Sequence, residues 1–236
     1  MKRVLGCIRK AVEEFNLIKD GDRVAVGVSG GKDSMILLHA LNLFQYFSPV
    51  KYELEAITIS LGFDDFDISS IREYCKSNNI KYTVKETNIS KIVFDVRNEK
   101  NPCSLCANMR RGALHNVMKE RNLNVLALGH HCDDAIETLF MNMFYTGRIS
   151  TFSPKTFLDR KQIHVIRPMI YLSEAQIIGA HNRHELPLVQ SPCPVDKKTT
   201  REEIKSLMNH IYKDIPKARQ KLITAFKNEE QLNLWF

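Results

Sequence analysis

The apolar and polar positions divide the chain into short apolar runs alternating with stretches of helical period. Val24–Val28 is apolar almost without a break, which suits a central strand buried on both faces of a sheet. From Met35 to Phe47, apolar residues recur at Ile36, Leu37, Ala40, Leu41, Phe44 and Phe47, the spacing of one helix face. Further strands are predicted at Glu53–Leu61 (with Ala56, Ile57 and Ile59), at Lys81–Ile89 and at Asn124–Gly129. Helices are predicted at Phe66–Asn78, from Asn101-Pro102 through Arg121, and at Asp133–Tyr145. Val4, Ile8, Ala11, Val12 and Phe15 form the apolar stripe of an N-terminal amphipathic helix. Thr156–Leu158 and Ile163–Ile166 suggest a hairpin around Asp159–Gln162. Ser173-Glu174-Ala175-Gln176 has the form of a capping box that opens a helix toward His184. Glu202–Ile211 and Lys217–Phe226 read as two closing helices. Strands alternating with helices imply βαβ units, an α/β fold and a parallel sheet with helices on both faces. The expected organisation is an N-terminal helix at 1–20, a main domain at 21–190 and a C-terminal helical segment at 191–236.

Between the first strand and its helix lies Ser29-Gly30-Gly31-Lys32-Asp33-Ser34. Adjacent glycines let a ligand approach the main chain, two hydroxyls flank them, and the helix that follows points its free N–H groups into the same space. This is an anion site, suited to phosphate. A Walker A loop is excluded, because Asp33 follows Lys32 and the Gly27–Gly31 spacing is one residue short. A dinucleotide fingerprint needs Gly-x-Gly, which the loop lacks.

A second constellation is Gly129-His130-His131-Cys132-Asp133-Asp134, after the fourth strand. Ligands of parallel sheets bind outside the carboxyl ends of the strands, so this loop is expected to face the one at Ser29. Asp133 or Asp134 could hold Mg²⁺ on phosphates or orient an acceptor; the plainer reading is helix capping. A third is Pro102-Cys103-Ser104-Leu105-Cys106, which by itself is half a zinc site, a redox pair or chance. Cys193, between Pro192 and Pro194, is the most distinctive of the other cysteines, whereas Cys7 and Cys75 read as small core side chains.

The 236 residues carry a net charge of +7 with 44% hydrophobic residues, and a pI near 9.1. That favours a polyanionic partner. Lys197–Lys227 holds nine Lys or Arg against three acids, either a solvated helical surface or a nucleic-acid backbone surface. No apolar run approaches membrane-spanning length, and Arg9, Lys10, Glu13 and Glu14 interrupt any signal-like core. A cytoplasmic protein with no membrane partner is expected, its six cysteines free, metal-bound or catalytic.

The loop resembles that of the PP-loop ATP pyrophosphatases, which split ATP between the α and β phosphates. Nearly the whole chain resembles the TtcA family of tRNA 2-thiocytidine synthetases and, more distantly, the TtuA tRNA 2-thiouridine enzymes. The resemblance is carried by GDRVAVGVSGGKDS at Gly21–Ser34, PCSLC at Pro102–Cys106, GHHCDD with ETLFMNMFYTG through Gly147, VIRPMIYLSE at Val165–Glu174 and SPCP at Ser191–Pro194. It implies a Rossmann-like PP-loop fold of the adenine nucleotide alpha hydrolase type. It also implies ATP and Mg²⁺ bound by Ser29, Gly30, Gly31, Lys32, Asp33, Ser34, Ile57, Gly129 and Asp134. The implied catalytic residues are Asp33, Arg110 and Asp133, with Arg110 where related enzymes place a basic functional residue. The implied metal ligands are Cys103, Cys106 and Cys193, holding a [4Fe–4S] cluster. Two departures stand out: Asp196 occupies the position three after Cys193, where many members have cysteine, and Cys132 replaces a residue that is usually not cysteine.

The reaction so implied adenylates the C2 oxygen of a tRNA pyrimidine, cytidine 32, and replaces it with sulfur from a cysteine desulfurase or other sulfide donor; a homodimer is left open. Two alternatives remain at this point. One is a lysidine synthetase-like tRNA ligase or amidating enzyme with structural cysteines. The other is a nucleotide- or tRNA-binding protein without turnover.

Overall fold

The central strands form where the sequence is most continuously apolar. The computed structural model describes residues 1–97, 102–195 and 200–228. Its six strands are β1 (Asp22–Gly27), β2 (Tyr52–Ser60), β3 (Lys81–Glu86), β4 (Val125–Ala127), β5 (Lys155–Leu158) and β6 (Ile163–Ile166), in the spatial order β3-β2-β1-β4-β6-β5. All pairings are parallel except that of β5 with β6, the expected hairpin, which adds an antiparallel edge. The order reverses at β1, so the crevice between β1 and β4 is where an open α/β sheet binds its ligand.

Among the described residues, eight α-helices surround the sheet: α1 (Lys2–Phe15), α2 (Lys32–Phe44), α3 (Ser69–Ser77), α4 (Pro102–Glu120), α5 (Cys132–Thr146), α6 (Glu174–His184), α7 (Thr200–Asp214) and α8 (Ala218–Ala225). Successive strand residues face opposite sides. Val24, Val26 and Ala56 therefore pack with Val4 and Ile8 of α1 and with Met35, Leu38 and Leu41 of α2. Ala25, Ile57 and Ile59 pack on the other side with Val117 and Met118 of α4. A small third cluster joins Ile136 of α5 to Ile204 and Met208 of α7.

Strand β3 stops short of the expected Ile89. Ser60 accepts the Thr87 N–H at 3.1 Å and Leu61 accepts that of Ser90 at 2.8 Å, so the chain bends across the end of β2. Gly62, at φ +84, lies where a Cβ would come 2.5 Å from the Thr87 carbonyl oxygen, and the bend requires glycine there. A π-helical turn over Lys91–Val96 follows. No helix among the described residues is long and apolar enough to cross a membrane.

Candidate active site

The parallel topology brings the loop after β1, the loop after β4, the segment after β6 and the start of α4 to one edge of the sheet. The loop after β1 is stitched by its own hydroxyls. Ser34 Oγ accepts the Ser29 N–H at 3.2 Å and donates to the Gly31 carbonyl at 2.9 Å, while Ser29 Oγ accepts the Gly31 N–H at 3.4 Å. Gly31 begins α2 with no side-chain cap, which leaves the first N–H groups of the helix directed into the loop. The two glycines do different work. Gly30 has φ +86, and a Cβ there would lie 2.8 Å from Val189 Cβ, so it admits the segment after α6. A Cβ on Gly31 would meet only Ser29 Oγ, at 3.5 Å, so the open space for an anion is above Gly31. Gly129 serves packing, because a Cβ there would come 3.1–3.2 Å from backbone atoms of Asp33 and Ser34.

Lys32 Nζ lies 3.2 Å from Asp33 Oδ2 and 3.1 Å from Glu174 Oε1. Glu174 also accepts from Lys205 of α7 at 2.9 Å. These acids keep the Lys32 ammonium protonated against its burial, raising its pKa. Asp33 Oδ1 is buried without a hydrogen-bond partner and faces His131 Nε2 at 3.9 Å. An unpaired buried carboxylate oxygen is costly, and this one sits in the first turn of α2, in the same loop as the anion cradle.

The two adjacent acids of α5 have separate fates. Asp134 accepts the His131 N–H at 2.8 Å, an Arg201 guanidinium hydrogen at 3.0 Å, and lies 3.4 Å from His131 Nε2 on the loop side. Asp133 turns away. Its Oδ2 accepts the Glu174 N–H at 2.7 Å and its Oδ1 accepts from Arg219 Nε at 2.6 Å. Asp133 thus pins α5 to α6 and α8. Asp133→Ala should lower the unfolding free energy by about 1–3 kcal/mol, the cost of unpairing a buried N–H and a half-buried guanidinium. Denaturant titration with an unchanged slope would register this; an unchanged midpoint would refute it.

Ile57 is 1% exposed, packs toward α4, and its carbonyl accepts the Val28 N–H at 2.8 Å. Cys132 is buried. Asp196 lies outside the described residues. Among the basic residues of 197–227, Arg201, Lys205 and Arg219 are held by Asp134, Glu174 and Asp133, and Lys227 by Glu14. Lys213, Lys217 and Lys221 are exposed, and Lys197 and Lys198 lie outside the described residues.

The cysteines converge from elements far apart in sequence. Cys103 and Cys106 occupy the first turns of α4, with Arg110 one turn further along. Cys193 follows the segment in which the Val189 N–H donates to the Gly30 carbonyl at 3.0 Å. Burial pushes the Cys106 thiol up, the Arg110 charge pulls it down, and the thiols of Cys193 and Cys103 push it up again, so Cys106 feels both its helix neighbours and a cysteine from a distant segment.

The PP-loop domain family matches residues 5–211. The chain is 40% identical over 231 residues to the tRNA-cytidine(32) 2-sulfurtransferase of Syntrophotalea carbinolica, covering 95% of this chain and 88% of that protein. With the protein of the same name from Citrifermentans bemidjiense it shares 37% identity over 229 residues, 96% of this chain and 90% of that one. The chain belongs to the tRNA-cytidine(32) 2-sulfurtransferase family of PP-loop proteins. Among solved structures, the U34-tRNA thiolase NcsA from Methanococcus maripaludis with its [4Fe–4S] cluster superposes with a TM-score of 0.78 at 25% identity, over 96% of this chain and 77% of that one.

Within this sulfurtransferase-family site, the sequence reading missed Glu137, Glu174, Arg201 and Lys205. Glu137 is 5% exposed, and its pKa is pushed up to about 7 by burial and by Asp134, with Arg201 opposing. The available signal was its spacing, four and three residues after Asp133 and Asp134, on a helix face otherwise apolar. Nothing local marks Arg201 or Lys205, which reach the site only because α7 packs on α5.

Proposed function

We propose that this protein is an ATP-dependent tRNA sulfurtransferase that adenylates the C2 oxygen of cytidine 32 and replaces it with sulfur. The observation that carries the proposal is one sheet edge holding both a PP-loop anion cradle and three cysteines from two distant segments. The lysidine synthetase-like reading does not explain why Cys193 lies within electrostatic reach of Cys106.

The residues present fit the implied groups. For ATP, the uncapped start of α2, the space above Gly31 and Lys32 suit phosphate, and the unpartnered Asp33 Oδ1 suits Mg²⁺. For the cluster, the donor set is three thiols beside a cation. No three metal-ligating side chains converge on one point among the described residues. The fit rests on donor chemistry: Cys103, Cys106 and Cys193 would supply thiolates, the ligand type that holds iron–sulfur clusters.

Oxide is a poor leaving group, so the base oxygen must first be activated. The loop orients the α-phosphate for attack by that oxygen, and the N–H groups of α2 with Lys32 offset charge growing on phosphate as pyrophosphate departs. Sulfur then attacks C2 and AMP leaves. The cluster, when bound, supplies an iron without a protein ligand as a place to hold sulfide. Arg110 supplies positive charge beside the cysteines, and Asp134, held by Arg201 and the His131 N–H, fixes the loop after β4. The sulfide comes from a cysteine desulfurase or another donor, in the cytoplasm where tRNA is modified.

Turnover with tRNA and sulfide should yield AMP, pyrophosphate and one 2-thiocytidine per tRNA. Product chromatography with nucleoside mass spectrometry tests this. ADP and phosphate, or an amidated or lysine-bearing base, would refute it.

A further inference from the structure

Arg167 stands just past the carboxyl end of β6, two strands or about 10 Å from β1, at the same edge as the cradle. Its backbone is fixed by the Pro154 carbonyl at 2.9 Å. Its guanidinium is half-buried, yet no carboxylate among the described residues pairs with it, and burial is the only influence on its charge. One terminal nitrogen donates to the Ser153 carbonyl at 2.6 Å and to Thr156 Oγ1 at 3.4 Å. The Nε hydrogen is buried without an acceptor. The guanidinium lies 4.8 Å from the ring centre of Phe152, the His130 ring is 5.1 Å from that same ring, and the Arg167 charge is felt by His130. His130 Nδ1 is a second buried atom without a partner. Burial keeps His130 neutral, with its pKa lowered to about 4, so it adds no second positive charge beside the guanidinium.

Among the described residues, four half-buried cations around this edge have an acid: Lys32 and Lys205 share Glu174, Arg201 has Asp134, and Arg219 has Asp133. A desolvated cation left without a counter-ion is expensive, and two orphaned polar atoms beside it mark the place where an anion would complete the set. Arginine stacked on an aromatic ring and offering a fork of donors matches a phosphate. The phosphates of ATP already have the start of α2 and Lys32.

We propose that Arg167, backed by Phe152 and His130, binds a backbone phosphate of the RNA strand that carries the target base. This rests on the reading of tRNA as substrate. The site orients the strand so that the base, turned out of its stack, meets the cradle.

The test measures binding of cognate tRNA, and separately of a non-hydrolysable ATP analogue, by the full chain between about 50 and 200 mM salt. Arg167→Gln should weaken tRNA binding about tenfold, the loss of one charged hydrogen-bonded contact. It should also reduce the slope of log affinity against log salt by about 0.7–0.9, with nucleotide affinity unchanged. Arg167→Lys should keep the slope and lose several-fold in affinity. An unchanged slope in Arg167→Gln overturns the proposal. So does a loss of nucleotide affinity with tRNA binding intact, which would assign the phosphate to ATP. If melting shows Arg167→Gln unfolded, Arg167→Lys decides: tRNA affinity equal to wild type overturns the proposal, and a selective loss supports it. Failure of the sulfurtransferase reading would show separately, as a wild-type protein that does not bind tRNA.

Discussion

Serine at position 103, 106 or 193 should abolish the iron–sulfur cluster and thiolation together, while serine at 7, 75 or 132 should keep both. Thiolates are the cluster ligands of choice, and each of the first three thiols is at least partly accessible at the reactive edge of the sheet. The other three lie in packed surroundings. Cys75 is fully buried on α3, its thiol pushed up to about 11, and Cys7 packs against the same core with its thiol raised by burial. Cys132 is 2% exposed, and burial together with Asp133 raises its pKa strongly, so its thiol stays protonated and inert. Iron and acid-labile sulfide measured anaerobically on each variant, with 2-thiocytidine in parallel, decide the matter. Loss of the cluster in Cys132→Ser would require four protein ligands and leave no open iron. Retention in Cys193→Ser would remove the long-range convergence on which the site rests.

Replacing Asp33 by asparagine should slow pyrophosphate release about 10²–10³-fold, equivalent to about 3–4 kcal/mol of transition-state stabilisation, while leaving the fold no less stable. The carboxylate has one oxygen near Lys32 and the other buried without a partner. An amide at that position cannot supply the charge that a metal–phosphate complex needs, yet it leaves no carboxylate oxygen buried without a donor in the free protein. Loss of rate with a constant or higher melting temperature is the signature of a group kept for function against stability. Asp133→Ala should do the reverse, losing stability through Arg219 and the Glu174 N–H. A rate within a few-fold of wild type for Asp33→Asn would sink the assignment.

What the sequence by itself determined are the features with local causes. The apolar run at Val24–Val28, the glycine pair and the two serines specify strand, loop and helix within a dozen residues. The Ser173 capping box forms as read, with the Ser173 N–H donating to Gln176 Oε1 at 3.0 Å and Oγ accepting the Gln176 N–H at 3.4 Å. The hairpin of β5 and β6 follows from its short connection. Only the tertiary structure decided which acid faces the cradle. Consecutive helical residues point about 100° apart, so Asp133 and Asp134 had to diverge, and the roll of α5 against α6, α7 and α8 chose between them. The same holds for charge. Arg201, Lys205 and Arg219 count as surface in a composition, yet find acids 67, 31 and 86 residues away. Arg167 looks like any other arginine in the sequence until the topology sets it among neighbours that include no acid. Electrostatic partners depend on distance through space, and sequence position fixes that distance only within a turn or a hairpin.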